Sequence, residues 1–141
     1  PVAIAVPETV LDKNVLSLES GKIYTVETKE QLAHLATLVN DDAPDGTGYK
    51  VKMLKDIDLT GSNWTPIGTF IDETNDKPFK GTFDGNGFEV KNLTINSTAD
   101  YQGLFGYVGD GGIVQNVGVT GNVNGERYVG GVAGDNEGSV Q

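Results

Sequence analysis

Val90-Lys91-Asn92-Leu93-Thr94-Ile95 and Val114-Gln115-Asn116-Val117-Gly118-Val119 share every apolar position and the asparagine, 24 positions apart. Gly81-Thr82-Phe83 lies over Gly103-Leu104-Phe105 at 22 positions, and Gly112-Ile113-Val114-Gln115 over Gly138-Ser139-Val140-Gln141 at 26. Periods in this range mark a solenoid, in which each unit buries its apolar face only against its neighbours. The units are neither leucine-dense nor helical, which excludes leucine-rich and helical repeats. Very short apolar pieces bounded by Gly and Asn fit a parallel β-helix, with coils stacked about 4.8 Å apart. In this register Leu93, Ile95, Val117 and Val119 form one interior ladder, and Phe83 stacks with Phe105 in another. Asn at the corners tolerates left-handed backbone angles, and glycine frees the remaining corners.

Outward from the repeat the composition changes. Seventeen of the 20 glycines lie at or after Gly61. Upstream, Ile23-Tyr24-Thr25-Val26 reads as a strand leading into a helix over about Lys29 to Asn40. Thr28 and Gln31 form a capping box, and Leu32, Leu35, Ala36 and Val39 form one apolar stripe. Asp41-Asp42-Ala43-Pro44-Asp45-Gly46 stops the helix. Tyr49–Leu54 and Ile57-Asp58-Leu59 alternate as half-buried strands do. A lone amphipathic helix must bury its stripe, and the open N-terminal end of the strand stack is its natural acceptor. Residues 1–22, with apolar patches at Val2–Val6 and Val15–Leu18, read as a linker or edge strand. Residues 23–141 read as a helix-capped β-solenoid, truncated at the C-terminus because the third repeat stops at Val140-Gln141. Its final coil, about Val129–Val140, is expected to expose its interior edge, and either to fray or to pair edge to edge in a dimer.

Charge narrows the partners. Twenty Asp+Glu against 10 Lys+Arg give a net charge of -10 and a pI near 4.3. Such a surface repels phosphate backbones and anionic lipid, so neither nucleic acid nor membrane insertion is expected. No apolar run approaches the roughly 18 residues of a membrane span. With no cysteine, disulfides, thiolate metal sites and a cysteine nucleophile are excluded. The chain starts at Pro1 rather than Met and reads as a processed or cut fragment; Ala3-Ile4-Ala5 has only the spacing of a signal-peptidase site.

A family resemblance covers about Ile23 to Gln141. Lys55-Asp56-Ile57-Asp58-Leu59, Trp64-Thr65-Pro66-Ile67-Gly68, Phe79–Gly87, Gly103-Leu104-Phe105-Gly106 and Val129-Gly130-Gly131-Val132-Ala133-Gly134 follow in order. The series resembles the GLUG-motif repeat region of bacterial surface and secreted proteins, including non-catalytic parts of immunoglobulin A1 protease-like proteins. The resemblance implies an extracellular or cell-wall setting and a right-handed β-helix. It implies no catalysis, because the protease members carry their zinc motif in another domain.

Each chemical constellation reads more simply as structure. His34 is the one histidine, with Glu30 in the wrong order for His-Glu-x-x-His, so it reads as an exposed helix residue. A serine triad would need the same imidazole, and no Gly-x-Ser-x-Gly elbow is present. Asp56 and Asp58 point the same way on a strand and could drive their pKa values apart, but a solvated outer face is the simpler reading. Asp84-Gly85-Asn86-Gly87 reads as a tight turn rather than a calcium loop. Trp64 could stack on a sugar, but packing on the solenoid is favoured. No catalytic, cofactor or metal residue is therefore assigned, and no ligand-binding residue is identifiable. The expected function is a non-catalytic extracellular stalk, spacer or adhesive module of a bacterial cell-surface protein. Its partners would be further repeats and domains of the parent protein, and a host or cell-wall glycan or protein. Two alternatives stay open: a carbohydrate- or protein-binding module using a lateral face, or a fragment of a glycan-degrading enzyme. An exposed aromatic row would favour the first, and a cleft of carboxylates with a basic group the second.

Overall fold

Alternating residues give several strands of this chain one buried side. In β3 (Lys50–Met53) Val51 and Met53 are fully buried while both lysines are half-exposed. The same alternation buries Phe83 in β5 (Thr82–Asp84), and Val90, Leu93 and Ile95 in β6 (Glu89–Asn96). The structure is a computed structural model and describes residues 7–42 and 47–141. The Val2–Val6 patch and the helix-stopping Ala43–Gly46 lie outside the described residues.

Among the described residues the protein is mainly β, with three parallel sheets and one helix, α1 (Lys29–Asp42). The first sheet has six strands in the order β1 (Glu8–Val10), β2 (Ile23–Val26), β3, β5, β8 (Ile113–Gln115) and β11 (Ser139–Val140). The second pairs β4 (Ile57–Asp58), β6 and β9 (Gly118–Asn124), and the third pairs β7 (Phe105–Val108) with β10 (Ala133–Asn136). From β3 onward the chain visits the three sheets in turn, and each pass hydrogen-bonds to the one before. Thr82 stands beside Ile113 in the first sheet, Glu89 beside Gly118 in the second and Phe105 beside Ala133 in the third. Phe79, Phe83 and Phe105 fill the space between sheets, with ring centroids 4.9 Å (Phe79–Phe105) and 5.3 Å (Phe83–Phe105) apart. One excursion leaves this path: Thr69 and Lys77 pair antiparallel and throw a loop outward, its tip tied by Asp72 to Thr74 and Asn75.

The strand register differs from the sequence overlay in an instructive way. Val90 stands beside Val119, not Val114, and Val114 stands between Phe83 and Val140. Asn92 and Asn116 both adopt left-handed angles (φ 59° and 57°). The shared pattern therefore encodes one local shape, strand–kink–strand, used in two places. Asn116 turns the chain from β8 into β9, whereas Asn92 makes an irregularity inside β6, between Val90 and Leu93. Leu93 and Ile95 are buried, but Val117 and Val119 are only half-buried at the last pass. Phe83 and Phe105 touch across the interior from different sheets and form no ladder. The overlay of Gly112–Gln115 on Gly138–Gln141 matches the observed pairing of Ile113 with Ser139 and Val114 with Val140. Gly121, at φ 144°, faces the kinked stretch; a β-carbon there would collide with the Leu93 backbone carbonyl.

At the other end the helix sits as its stripe dictates. Leu32, Leu35, Ala36 and Val39 are all buried in the core. The Gln31 amide donates to Thr28 Oγ1 at 3.2 Å, while Gln31 Oε1 accepts from the Glu27 amide at 2.7 Å, one residue further back than in the usual capping box. Asn40 then engages the opening turn of the third sheet. Its Nδ2 donates to the Pro66 carbonyl at 2.9 Å and its Oδ1 accepts from the Gly68 amide at 2.8 Å. One side-chain amide thus takes the place of a missing neighbouring strand beside Ile67. The first sheet runs two strands further, to the short exposed edge β1, followed by fully buried Leu11.

Candidate functional site

The carboxylates that the sequence brings forward serve as ties between passes of the chain. Asp56 Oδ1 accepts the Glu89 amide at 2.8 Å, and its other oxygen pairs with Lys91 at 3.2 Å. Asp58 accepts from the Thr60 amide and hydroxyl and from Asn92 Nδ2 at 3.0 Å. Asn63 Oδ1 receives the Asn96 amide, and Asp100 Oδ1 receives the Arg127 amide. Corner amides that no strand can satisfy are thus met by a side chain of the preceding pass. The Glu89 amide bond, then Lys91, holds Asp56 below its ordinary pKa. Hydrogen bonds from Thr60 and Asn92 bring Asp58 down to about 2. A general acid needs the opposite shift, so this pair is poorly suited to proton donation near neutral pH.

The other sequence candidates are spread over the molecule. Asp84 accepts from the Asn86 amide in a tight turn whose Asn86 and Gly87 are left-handed. Partial burial works against its charge, but bonds from Asn86 and Asn116 and the nearby Lys50 outweigh it and lower its pKa. His34 is half-buried rather than exposed, its Nε2 2.7 Å from the Val15 carbonyl, so the helix is tied to the N-terminal segment. Trp64 is 8% exposed and donates to the Leu104 carbonyl at 3.0 Å, so it is packed on the core, with its remaining exposed edge lining a cleft beside α1. A cleft of about 420 Å³ separates α1 from Leu59–Thr65. Lys29 and Asp41 are among its lining residues, with Ala36 and Leu59. Among the described residues no group of three or more His, Asp or Glu side chains is placed to hold a metal ion.

What the sequence reading missed is an aromatic row on the third sheet's flank. Tyr101 and Tyr128 both sit at left-handed angles (φ 60° and 56°) at equivalent corners of successive passes. The Tyr101 amide donates to Arg127 and the Gln102 amide to the Tyr128 carbonyl, fixing both backbones. Their rings therefore stack face to face, 4.6 Å apart and 3° from parallel, close to the interstrand spacing. Phe70, on the outward loop, lies 5.0 Å from Tyr101 and 5.4 Å from Tyr107. Tyr107 donates to Glu137 Oε2 at 2.8 Å; burial and then that carboxylate push its hydroxyl up to about 12. Tyr101 is raised by desolvation first, then by Tyr128 and the carboxylates of Asp135, Asp100 and Glu137. The available signal was the recurrence of Tyr-x-Gly at Tyr101 and Tyr128, 27 positions apart.

The carboxylate ties give an acid-stability prediction. Asp58 and Asp72 are lowered from 3.8 to about 2, and Asp56 and Asp84 in the same direction. Groups bound more weakly to protons in the folded state stabilise it above their unfolded pKa, and that stabilisation is lost as pH falls through the folded values. The thermal midpoint should therefore hold down to about pH 4 and fall between about pH 4 and 2. Asp58→Asn should make that fall shallower; a wild-type midpoint that rises steadily to pH 2 would contradict the role given to these ties.

No family model matches the chain, and no solved structure matches it. Two curated relatives do. One is a Gly-rich membrane protein of Evansella cellulosilytica, 34% identical over 128 residues, covering 83% of this chain and 14% of the relative. The other is halomucin of Haloquadratum walsbyi, 32% identical over 117 residues, covering 79% of this chain and 1% of the relative. The chain thus corresponds to a small part of each of two much longer proteins.

Proposed function

We propose that this chain is a non-catalytic structural module of a cell-surface protein, a short right-handed parallel β-helix of the GLUG-repeat kind that spaces or displays other parts of its parent. The observation that carries this reading is the construction of its passes. Each is joined to the next by parallel backbone pairing and by side-chain ties at the corners, which suits a rod that bears load. The right-handed sense is the one that parallel crossovers overwhelmingly adopt. The names of the two relatives, a membrane protein and halomucin, support an extracellular setting, with further repeats and domains of the parent as the main partners. The depressed pKa values of Asp56 and Asp58 weigh against the glycan-degrading alternative.

Two measurements test this. Protease treatment of intact cells making the parent protein should release peptides of this chain before any lysis; release only after lysis would overturn the location. The purified chain should leave polysaccharide and peptide panels unchanged. Turnover that disappears in Asp56→Asn or Asp58→Asn would overturn the non-catalytic assignment.

A further inference from the structure

A trough runs beside α1, and neither of its walls belongs to the last pass. One wall is the helix face that carries Lys29, Ala33, Thr37 and Asp41, each one turn beyond the last; the other is Leu59–Thr65, the segment that follows β4. At about 1.5 Å per residue, the helical wall is about 18 Å long from Lys29 to Asp41. The N-terminal segment lies along the other flank of α1, where His34 meets the Val15 carbonyl, and does not cover the trough. Its volume of about 420 Å³ falls in the range of ligand pockets, about 300–1,000 Å³. Both walls are held in place. Asn40 bonds Pro66 and Gly68, and Asn63 Oδ1 receives the Asn96 amide of the following pass. A site ordered beforehand loses less entropy on binding.

We propose that this trough binds a neutral oligosaccharide chain without cleaving it. The lining selects that ligand class. An added peptide strand needs unpaired backbone, and the wall after β4 has spent its own. The Leu59 amide donates to the Lys91 carbonyl, the Thr60 amide to Asp58 and the Trp64 amide to the Thr94 carbonyl. A docked helix needs large apolar anchor sites. Here the apolar lining is Ala33, Ala36, buried Leu59 and the edge of Trp64. A charged ligand meets both signs, Lys29 beside Glu30 at one end and Asp41 at the other, on a chain whose net charge of -10 repels anions. What remains is a set of side-chain hydroxyls and an amide from Thr37, Ser62, Asn63 and Thr65. With its oxygen taken by Asn96, Asn63 has its Nδ2 donor left over. Among the described residues no group bonds the exposed hydroxyls of Ser62 and Thr65. Groups that both donate and accept match the hydroxyls on the rim of a sugar ring, and the alanines and indole edge match its C–H faces. Cleavage is excluded by spacing. Glu30 and Asp41 lie about 16 Å apart along the helix axis, beyond the roughly 5–9.5 Å of a glycosidase's carboxylate pair. The proposal stands apart from the spacer reading, which concerns the rod and not this trough.

Trp64 is the chain's one tryptophan, so its emission reports on the trough directly. The probes are cello-, chito-, manno- and xylohexaose, titrated into the isotopically labelled chain and followed by Trp64 emission and amide chemical shifts. Oligogalacturonate and the peptide acetyl-Ala-Thr-Ala-Thr-Ala-Thr-amide represent acidic glycans and polypeptides. At least one neutral hexasaccharide should shift Trp64 emission and the amides of Ala33, Thr37, Asn63 and Thr65, and should bind at least tenfold more tightly than either control. Ala33→Leu fills the trough from an exposed position. Asn63→Asp keeps the oxygen that holds the Asn96 amide and loses the Nδ2 donor. Each should weaken binding at least fivefold, and Glu126→Gln on the last pass should leave it unchanged. A protected Asn96 amide in Asn63→Asp will verify that the corner is intact. The proposal is overturned if no neutral hexasaccharide binds, if the acidic glycan or the peptide binds as well, if the shifts centre away from the trough, or if both variants bind as the wild type does. Release of shorter sugars from any probe would overturn binding without cleavage.

Discussion

Truncating Phe105 to alanine should lower the folding stability by about 3–5 kcal/mol, whereas Val117→Ala should cost well under half of that. Phe105 is fully buried, begins β7, and packs its ring against both Phe79 and Phe83. It is where the first and third sheets meet through side chains, so its loss leaves a cavity that backbone pairing on either side prevents from collapsing. Val117 is half-buried at the last pass, where surrounding strands already face solvent and can relax into the space. For a chain of this size the phenylalanine change should lower the thermal midpoint by about 10 °C or more, at roughly 3–4 °C per kcal/mol. Equal losses from the two substitutions would restore the 24-residue register and remove the one in which Val119 stands beside Val90.

That contrast shows where the sequence was readable. Local geometry was: the alternation of Lys50–Met53, the stripe and cap of α1 and the glycine–asparagine corners each reflect a residue's own conformational cost, which is legible one segment at a time. The repeat was legible only where both copies do the same job, as with Ile113 and Ser139. Where one motif serves two jobs, a match of residues is a match of backbone shape, and Asn92 and Asn116 share a left-handed kink without sharing a place in the stack. The aromatic flank was hidden for a different reason. Phe70, Tyr101, Tyr107 and Tyr128 are scattered over nearly 60 positions and meet only because an outward loop folds back across two passes. Scattered aromatics are ordinarily read as core, and here Phe79 and Phe105 join the main core while Phe70 and the buried Tyr107 form a second cluster with Tyr101. The carboxylates illustrate the converse. Asp56 and Asp58 drew attention as a pair, yet each is bound to the next pass rather than to the other.

Leu35→Asp should abolish the soluble, cooperative monomer. Leu35 is fully buried at the centre of the helix stripe, with Leu32, Ala36 and Val39 around it. The substitution removes a leucine's packing, worth about 2–5 kcal/mol. It also buries a carboxylate within the apolar cluster, at an effective cost of several kcal/mol more. Together these approach the whole stability of a typical domain, about 5–15 kcal/mol. The helix also holds the opening turn of the third sheet through Asn40. With α1 displaced, Asn40 leaves Pro66 and Gly68, and the opening turn of the third sheet presents unpaired backbone groups that a second chain can pair with. Aggregation, not a simple fall in midpoint, is therefore the expected outcome, visible as loss of the monomer peak by size-exclusion chromatography. Two further variants isolate the cause. Ala33→Asp puts the same charge on the exposed side of the same helix and should remain monomeric. Asn40→Ala removes only the two bonds to the sheet, costing about 1–3 kcal/mol, and should speed hydrogen exchange at the Gly68 amide while leaving a folded monomer. If Leu35→Asp stays a cooperative monomer with a protected Gly68 amide, the end of the stack is held closed by something other than this helix.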